Sequence, residues 1–180
     1  MKTSRRPWLS LRRDQRGVSA IEFALIAPVA IAFYMGAAEF CQGFMAQKRM
    51  GHVASQVADM VAQEETITTV EIDNLFDIGG LIMKPFPTTD LQMRVSSVTR
   101  GSDGVVKVDW SRGDGMAARA VGSTVTVPNN MISNGESLVM SEAIYNYDSP
   151  VDYLMPAVTQ FTHSYYLRPR MVPQVACSNC

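Results

Sequence analysis

The chain has 180 residues, of which 47% are apolar and 18% are charged. This length suits one modest domain, and the apolar content excludes a disordered chain. The formal net charge of −1 excludes a generally basic nucleic-acid binder. The charge is unevenly placed along the chain. Residues 1–17 hold six basic residues and one acid, a net charge of +5. Residues 64–180 hold eight basic residues and thirteen acids, a net charge of −5.

The first predicted element is an apolar helix over residues 18–38, directly after the basic segment. Glu22 is its only charged side chain. A helix of this length spans ~30 Å, the thickness of the hydrocarbon core of a bilayer. The basic residues on its N-terminal flank favour a cytoplasmic N-terminus. We therefore expect a single membrane crossing that leaves residues 39–180 on the outer side.

Three common export signals match this segment poorly. Gly36-Ala37-Ala38 is a weak signal-peptidase site, because the apolar run is long and Glu22 interrupts its start. Cys41 follows Ala38-Glu39-Phe40, which lacks the small residues that precede a lipoprotein cysteine. Ser4–Leu9 is a partial twin-arginine pattern, but a second basic cluster follows it instead of an apolar core.

An acid inside the membrane helix requires an explanation, because it costs roughly 2.5–3.5 kcal/mol on insertion scales. A plain anchor has no need of Glu22. If the chain is cut after Gly17, the new ammonium of Val18 lies about one helical turn from the Glu22 carboxylate. Glu22 can then neutralise that ammonium, or the one of a neighbouring subunit, in a low-dielectric bundle. The alternative is an interfacial Glu22 that reaches the lipid headgroups.

The helical pattern continues beyond the membrane, since no proline occurs between Val29 and Thr66. A polar stripe faces an apolar one at helical spacing; the polar residues are Arg49, His52, Gln56, Asp59 and Gln63, and the apolar ones are Met50, Val53, Val57, Met60 and Val61. The pattern predicts one helix over residues 18–64, about 46 residues and ~70 Å long. Pro28 predicts either a kink or an ordinary membrane-helix proline.

Residues 65–180 form the predicted exported head. Thr68-Thr69-Val70-Glu71 is typical of a capping box that opens a short helix, and Gly79-Gly80 is expected to end it. Alternating apolar residues predict strands over 90–99, 105–110, 138–147 and 159–167, with a loop over 113–122 and a short strand over 123–127. The head is therefore expected to be a small antiparallel sheet behind the long helix, in an α+β fold.

The chain ends in Cys177-Ser178-Asn179-Cys180, a spacing that permits a disulfide in an oxidising compartment. Free or intermolecular thiols are the alternative. Zinc is less favoured, because the chain offers only two histidines as further ligands, His52 and His163. We expect no metal and no cofactor.

No nucleophile elbow, phosphate-binding loop or H-E-x-x-H motif occurs in the sequence. We therefore expect no catalytic residues and no enzymatic activity. Arg168 and Arg170 flank Pro169 near the end of the last predicted strand. They can be solvated, pair with the acidic head, or contact another subunit.

The N-terminal pattern of a basic leader, Gly17 and Glu22-Phe23 inside a long apolar helix resembles the class III signal of type IV pilins and pseudopilins. The longer string RGVSAIEFALIAPV, followed by Ala38-Glu39-Phe40, resembles TadE-like proteins of the tight-adherence (Tad) pilus system. Two later segments also resemble the tail of that family, Tyr145-Asn146-Tyr147-Asp148 and Tyr165-Tyr166-Leu167-Arg168-Pro169-Arg170.

The resemblance implies a type IV pilin-like fold with a leader over residues 1–17. It further implies cleavage between Gly17 and Val18 by a prepilin peptidase, with Glu22 and Phe23 serving processing and assembly. The implied function is that of a minor pilin or pseudopilin that takes part in Tad pilus assembly, at its initiation, at the base or at the tip. In this role it aids surface adhesion.

The implied partners are the prepilin peptidase, other pilins and pseudopilins, the inner-membrane assembly platform and the membrane, with no nucleic acid. The implied location is the inner membrane with a periplasmic head, before incorporation into the extracellular pilus. The alternative function is that of a non-polymerising single-pass inner-membrane protein with a periplasmic binding domain.

Overall fold

The computed structural model describes residues 17–128, 131–149 and 158–180. Residues 1–16, which make up most of the predicted leader over residues 1–17, and the proline-containing connection over 150–157 lie outside the described residues. Two helices and six strands follow in chain order: α1 (Val18–Gln63), β1 (Thr66–Ile67), α2 (Thr69–Met83), β2 (Leu91–Arg100), β3 (Val106–Asp114), β4 (Ser137–Asp148), β5 (Val158–Leu167) and β6 (Ala176–Cys177).

Helix α1 is 46 residues long and continues through Pro28. Its C-terminal half packs on the head through a stripe at helical spacing, which consists of Ala46, Met50, Val53, Ala54, Val57, Ala58, Val61 and Ala62. These are small or apolar residues recurring every three to four positions, so they lie on one face of the helix. The predicted amphipathic helix is confirmed, and so is the predicted pilin-like α+β architecture.

Four strands form an antiparallel sheet in the order β3-β2-β4-β5. The central strand β2 pairs with β4 from Leu91↔Tyr145 to Thr99↔Ser137, and with β3 across a bulge at Ser97/Val98. Helices α1 and α2 cover one face, where Val95, Trp110, Val139 and Ala143 meet the buried stripe of α1. A second, smaller apolar cluster is formed by side chains of β2, β3 and β4 together with Ile132; it consists of Val98, Val106, Val108, Ile132 and Leu138.

Helix α2 begins as predicted and ends later than predicted. Thr68 Oγ1 accepts from the Glu71 amide at 3.3 Å, and Glu71 Oε2 accepts from the Thr68 amide at 2.8 Å, so the capping box is present. The helix nevertheless runs through Gly79-Gly80 to Met83. A Cβ on Gly79 would lie 2.8 Å from Met93 Sδ and 3.1 Å from Val53 Cγ1. Gly79 is therefore a packing residue where α2 approaches α1 and β2.

Strand β3 is longer than predicted, because it extends to Asp114 instead of ending at Trp110. Gly113 fits there since a Cβ would lie 1.9 Å from the Met116 carbonyl oxygen, and Gly115 turns the chain with φ +66°. The short strand predicted over residues 123–127 was wrong. That segment forms a single bridge, Lys107↔Thr124, which covers the outer edge of β3.

The C-terminal segment wraps over the distal end of α1, a feature that the sequence analysis did not predict. Strands β1 and β6 pair in parallel, with Thr66 opposite Ala176 and Ile67 opposite Cys177. The Trp110 indole N–H donates to the Val175 carbonyl oxygen at 2.8 Å in the buried core. The end of the chain therefore contacts both the sheet, through Trp110, and the segment after α1, through the pairing of β6 with β1.

Candidate functional site

The residues at the start of α1 are exposed. Gly17 precedes the helix, and its carbonyl oxygen accepts the first helical hydrogen bond from the Ile21 amide at 3.1 Å. An added Cβ on Gly17 would meet no atom within 4 Å, and Val18 is 47% exposed. The Gly17–Val18 bond thus lies where the helix begins, with open space around the glycine.

Glu22 and Phe23 lie one turn further along α1, and both are exposed. The Glu22 side chain forms no hydrogen bond or ion pair with any residue that the structure describes. Positions 18 and 22 are four residues apart, so they lie on the same face of the helix. The fold therefore leaves Glu22 able to meet a charge near position 18 of its own chain or of another chain.

The N-terminal half of α1 exposes a large apolar surface. Phe23, Leu25 and Phe33 are 73%, 71% and 79% exposed, and none of the most apolar 18-residue stretch is buried within the protein. Exposed apolar surface of this extent is unfavourable in water. One long apolar N-terminal helix fits a single-pass membrane protein, and the uncovered half of α1 is the part that fits the bilayer.

Glu39 lies where the exposed half of α1 meets the head, and it is fully buried. Ser149, directly after β4, donates a hydrogen bond from its hydroxyl to Glu39 Oε1 at 2.6 Å. Burial raises the pKa of the nearby Tyr147 phenol, and the Glu39 charge acts in the same direction. The buried side of the helix therefore carries a polar contact close to the membrane boundary.

Sequence reasoning missed the burial of Glu39, although a signal was present. The buried positions 36, 39, 43, 46 and 50 continue the three-and-four spacing of the apolar stripe towards the N-terminus. Gly36 and Gly43 flank Glu39 on this face. A polar residue at a position of this stripe, with glycines one turn before and after it, indicates a specific buried contact.

The head carries several ion pairs that are also hydrogen-bonded. Glu142 accepts from Arg94 Nε at 2.7 Å and from Arg119 Nη2 at 2.8 Å. Burial alone would raise the pKa of Glu142, but the hydrogen bonds and charges of both arginines outweigh it and lower the pKa below its ordinary value. Arg112 binds both carboxylate oxygens of Asp73, and this hydrogen-bonded pair lowers the pKa of Asp73.

The two arginines near the end of β5 form ion pairs within the chain. Arg168 pairs with Glu136, and Arg170 pairs with Asp59 on α1. Of the three interpretations left open for these arginines, pairing with the acidic head is found for Arg168, whereas Arg170 pairs with α1. Both arginines remain more than half exposed, so these pairs contribute little to stability.

Cys177 and Cys180 are joined by a disulfide, whereas Cys41 is exposed and free. The closed loop is next to the N-terminus of α2, where the Thr69 amide donates to Asn179 Oδ1 at 2.8 Å. The disulfide therefore shapes the tail that covers the start of this helix. Within the three described ranges, no group of three or more His, Cys, Asp or Glu side chains could hold a metal ion.

A family model described as TadE-like protein matches residues 17–59. The matched region begins at Gly17 and covers nearly all of α1. Over this helix the chain is similar to TadE-like proteins. The match supports a relation of the chain to proteins of the Tad pilus system. No curated protein and no solved structure matches the chain.

The TadE-like match contains the predicted processing residues and Glu39, and it ends before the head begins. The same stretch of chain thus includes the exposed apolar helix, the junction at Gly17 and the buried contact to Ser149. The last turn of α1 and the whole head lie outside the match.

Proposed function

We propose that this TadE-like protein is a minor pilin or pseudopilin of a Tad pilus system. In this proposal a prepilin peptidase cuts the Gly17–Val18 bond, and α1 then packs with the helices of other subunits. The head remains on the outer side of the inner membrane. It acts as a contact surface for other subunits when the pilus is initiated, or at its base or tip. Catalysis by the chain itself has no part in this function.

The single observation that carries the proposal is the composition of α1. The helix begins at Val18, one residue after Gly17, and its first 21 residues contain a single charged side chain, the exposed Glu22. A helix that only anchors the head gains nothing from Glu22. A helix that packs in a bundle after cleavage has use for a carboxylate opposite an ammonium, because isolated charges are costly there.

The alternative function is a single-pass membrane protein that binds a periplasmic ligand and never polymerises. It shares the membrane helix and the head with the proposal, and it differs at Gly17 and Glu22. Under the alternative, neither residue has a chemical role. Substitution of Glu22 by alanine would then be neutral, or would favour membrane insertion.

The first experiment measures the intact mass and N-terminal sequence of the protein extracted from membranes. The wild-type chain is expected to begin at Val18, and a Gly17→Asp variant is expected to keep its leader. Ser19→Ala is the matched control and should be processed as the wild type. A chain that retains Met1, or one that begins near Glu39, would contradict the proposal and favour the alternative.

The second experiment separates processing from assembly. Glu22→Ala and Glu22→Gln are expected to leave the protein in the membrane but to reduce its recovery in sheared pilus fractions by roughly tenfold. This magnitude corresponds to about 1.4 kcal/mol for a desolvated charge pair. Glu22→Asp keeps the carboxylate and should retain part of the assembly. Normal recovery of Glu22→Ala in the pilus fraction would remove Glu22 from the proposed mechanism.

A further inference from the structure

A cleft of about 380 Å³ lies on the flank of the molecule between α1 and β5. It is lined by Phe44, Gln47, Lys48, Gly51, His52, Ser55, His163 and Tyr165. Both histidines of the chain are therefore in this one cleft, on two different elements. The ammonium of Lys48 lies 5.3 Å from the centre of the Phe44 ring. The lining contains one permanent positive charge, two imidazoles and no acid.

This composition contrasts with the head as a whole, which carries a net charge of −4 over residues 65–180. Most bases of the described head are paired: Arg94, Arg112, Arg119, Arg168 and Arg170 each contact a carboxylate. Lys48 has no carboxylate partner among the described residues. Lys84 is likewise exposed and unpaired within the described residues, but only Lys48 lines a cleft that also holds two imidazoles, so the cleft offers an acidic group from another molecule several donors at once.

A lipid headgroup fits this cleft poorly. The lining residues of α1 begin six positions after residue 38, so they lie ~9–25 Å beyond the hydrocarbon edge if α1 stands upright. The polar layer of a bilayer extends only ~5–7 Å on each side. An acidic protein segment is better placed than a lipid to reach Lys48 and His52.

The same chain displays a matching acidic pair at the distal end of α1. Glu64 and Glu65 are adjacent, exposed and extended, with Glu64 at φ −86° and ψ 146°. Neither forms an ion pair with a residue inside the described ranges. At ~100° per residue, Glu64 lies about 120° around the helix axis from His52 and about 160° from Lys48. The acidic pair and the basic cleft thus face roughly opposite sides of α1.

We propose that the cleft is a docking site for Glu64 and Glu65 of a second copy of this chain. Two parallel copies make this contact when one is advanced along the helix axis by roughly 18–25 Å. The contact joins different patches on the two copies, so it can repeat in one direction without closing. This inference rests on the proposed pilus function, since an isolated anchored protein has no use for such a contact.

The axial offset between the two copies determines where in the cell envelope the contact can form. Two copies whose residues 18–38 both cross one bilayer have their heads at the same height, so their patches do not meet. An advance of roughly 18–25 Å withdraws most of one membrane helix from a core ~30 Å thick. The contact therefore belongs to subunits that are leaving the membrane, and it is absent from copies that rest in the bilayer.

The test is cross-linking in cells that assemble the pilus, between two differently tagged full-length chains. Both carry Cys41→Ser; one also carries Gln47→Cys in the cleft and the other Thr66→Cys beside the acidic pair. A short bismaleimide is expected to join these two chains more efficiently than two Gln47→Cys chains or two Thr66→Cys chains. The uncleaved Gly17→Asp chain is expected to give no such product.

Charge reversal supplies the decisive comparison. Lys48→Glu in the first chain, or Glu64→Lys with Glu65→Lys in the second, is expected to lower the yield by roughly threefold or more. Both reversals together are expected to restore it. Lys84→Glu, which reverses an exposed lysine away from the cleft, is the matched control and should change nothing.

Three results would overturn the inference: a yield insensitive to Lys48→Glu, a failure of the double reversal to restore it, or a product containing a different protein. Loss of Gln47→Cys labelling in membranes without a dimeric product would place the cleft against lipid and also overturn it. The mass of the chain distinguishes this failure from failure of the proposed function. A chain that begins at Val18 but shows no charge-dependent product fails only the inference.

Discussion

Glu39 and Ser149 are 110 residues apart in the chain, and a hydrogen bond of 2.6 Å joins the serine hydroxyl to the buried carboxylate. This contact ties the end of β4 to α1 at the point where the exposed apolar half of the helix begins. A buried acid is costly unless its oxygens are hydrogen-bonded. The orientation of the head relative to the membrane helix therefore depends in part on this pair.

The first prediction concerns this contact. Glu39→Ala removes the acceptor of this hydrogen bond and leaves a cavity where a fully buried side chain lay, so we expect the free energy of unfolding of the head to fall by roughly 1–3 kcal/mol. Glu39→Gln keeps a carbonyl acceptor and should lose less. The measurement is urea unfolding of the full chain in detergent, followed by near-ultraviolet circular dichroism. An alanine variant as stable as wild type would show that the buried carboxylate does not stabilise the head.

The sequence predicted α1 well because its signals are local. Unbroken helical spacing from residue 18 onward, without proline after residue 28, is enough to indicate a helix of this length. The position of Glu39 on the buried stripe of α1 was a local signal that was overlooked, but its contact with Ser149 could not be predicted, since Ser149 lies far along the chain and nothing local specifies that pairing. The same reason explains why the parallel pairing of β1 and β6 was missed.

Gly79 shows a different limit of sequence reasoning. A glycine pair near the end of a helical pattern is a typical C-terminal signal, and it predicted termination there. The structure uses Gly79 for close approach to Val53 and Met93 instead, so the helix continues to Met83. Local conformational preference and tertiary packing both select glycine, and one sequence does not distinguish them.

The second prediction uses the two adjacent glycines as a matched pair. Gly79→Ala would place its methyl 3.1 Å from Val53 Cγ1, so we expect a net loss of roughly 1 kcal/mol or more from overpacking. Gly80→Ala would meet only Thr88 Cγ2 at 3.8 Å and should gain about 0.5–1 kcal/mol from helix propensity. Thermal unfolding midpoints measure both. Equal shifts for the two variants would contradict the packing role of Gly79.

The third prediction concerns Glu142, whose pKa is lowered in the folded head by Arg94 and Arg119. A carboxyl with a lower pKa in the folded state stabilises the fold above its unfolded pKa of about 4.3, and this contribution disappears as pH falls through the folded pKa. Glu142→Gln should therefore be less stable than wild type at about pH 7, and the difference should shrink towards about pH 3.

Urea unfolding at a series of pH values tests this dependence. Glu64→Gln is the control, because Glu64 is exposed and has no ion pair among the described residues. Its pH dependence should follow that of the wild type. A stability difference between Glu142→Gln and wild type that stays constant across the acid range would show that the charge of Glu142 is not what stabilises the head.

The last prediction concerns the tail disulfide. Cys177 and Cys180 close a very short loop, so chain entropy limits the stabilisation to about 2 kcal/mol or less. The effect of Cys177→Ser with Cys180→Ser should therefore be mostly local: faster amide hydrogen exchange at Ser178, whose N–H donates to the Ile67 carbonyl at 3.1 Å, with a small change in global unfolding. Cys41→Ser should change neither quantity. Cooperative unfolding of the whole head on loss of the disulfide would contradict this role, because Trp110 and β6 would then depend on the bond to hold the tail in place.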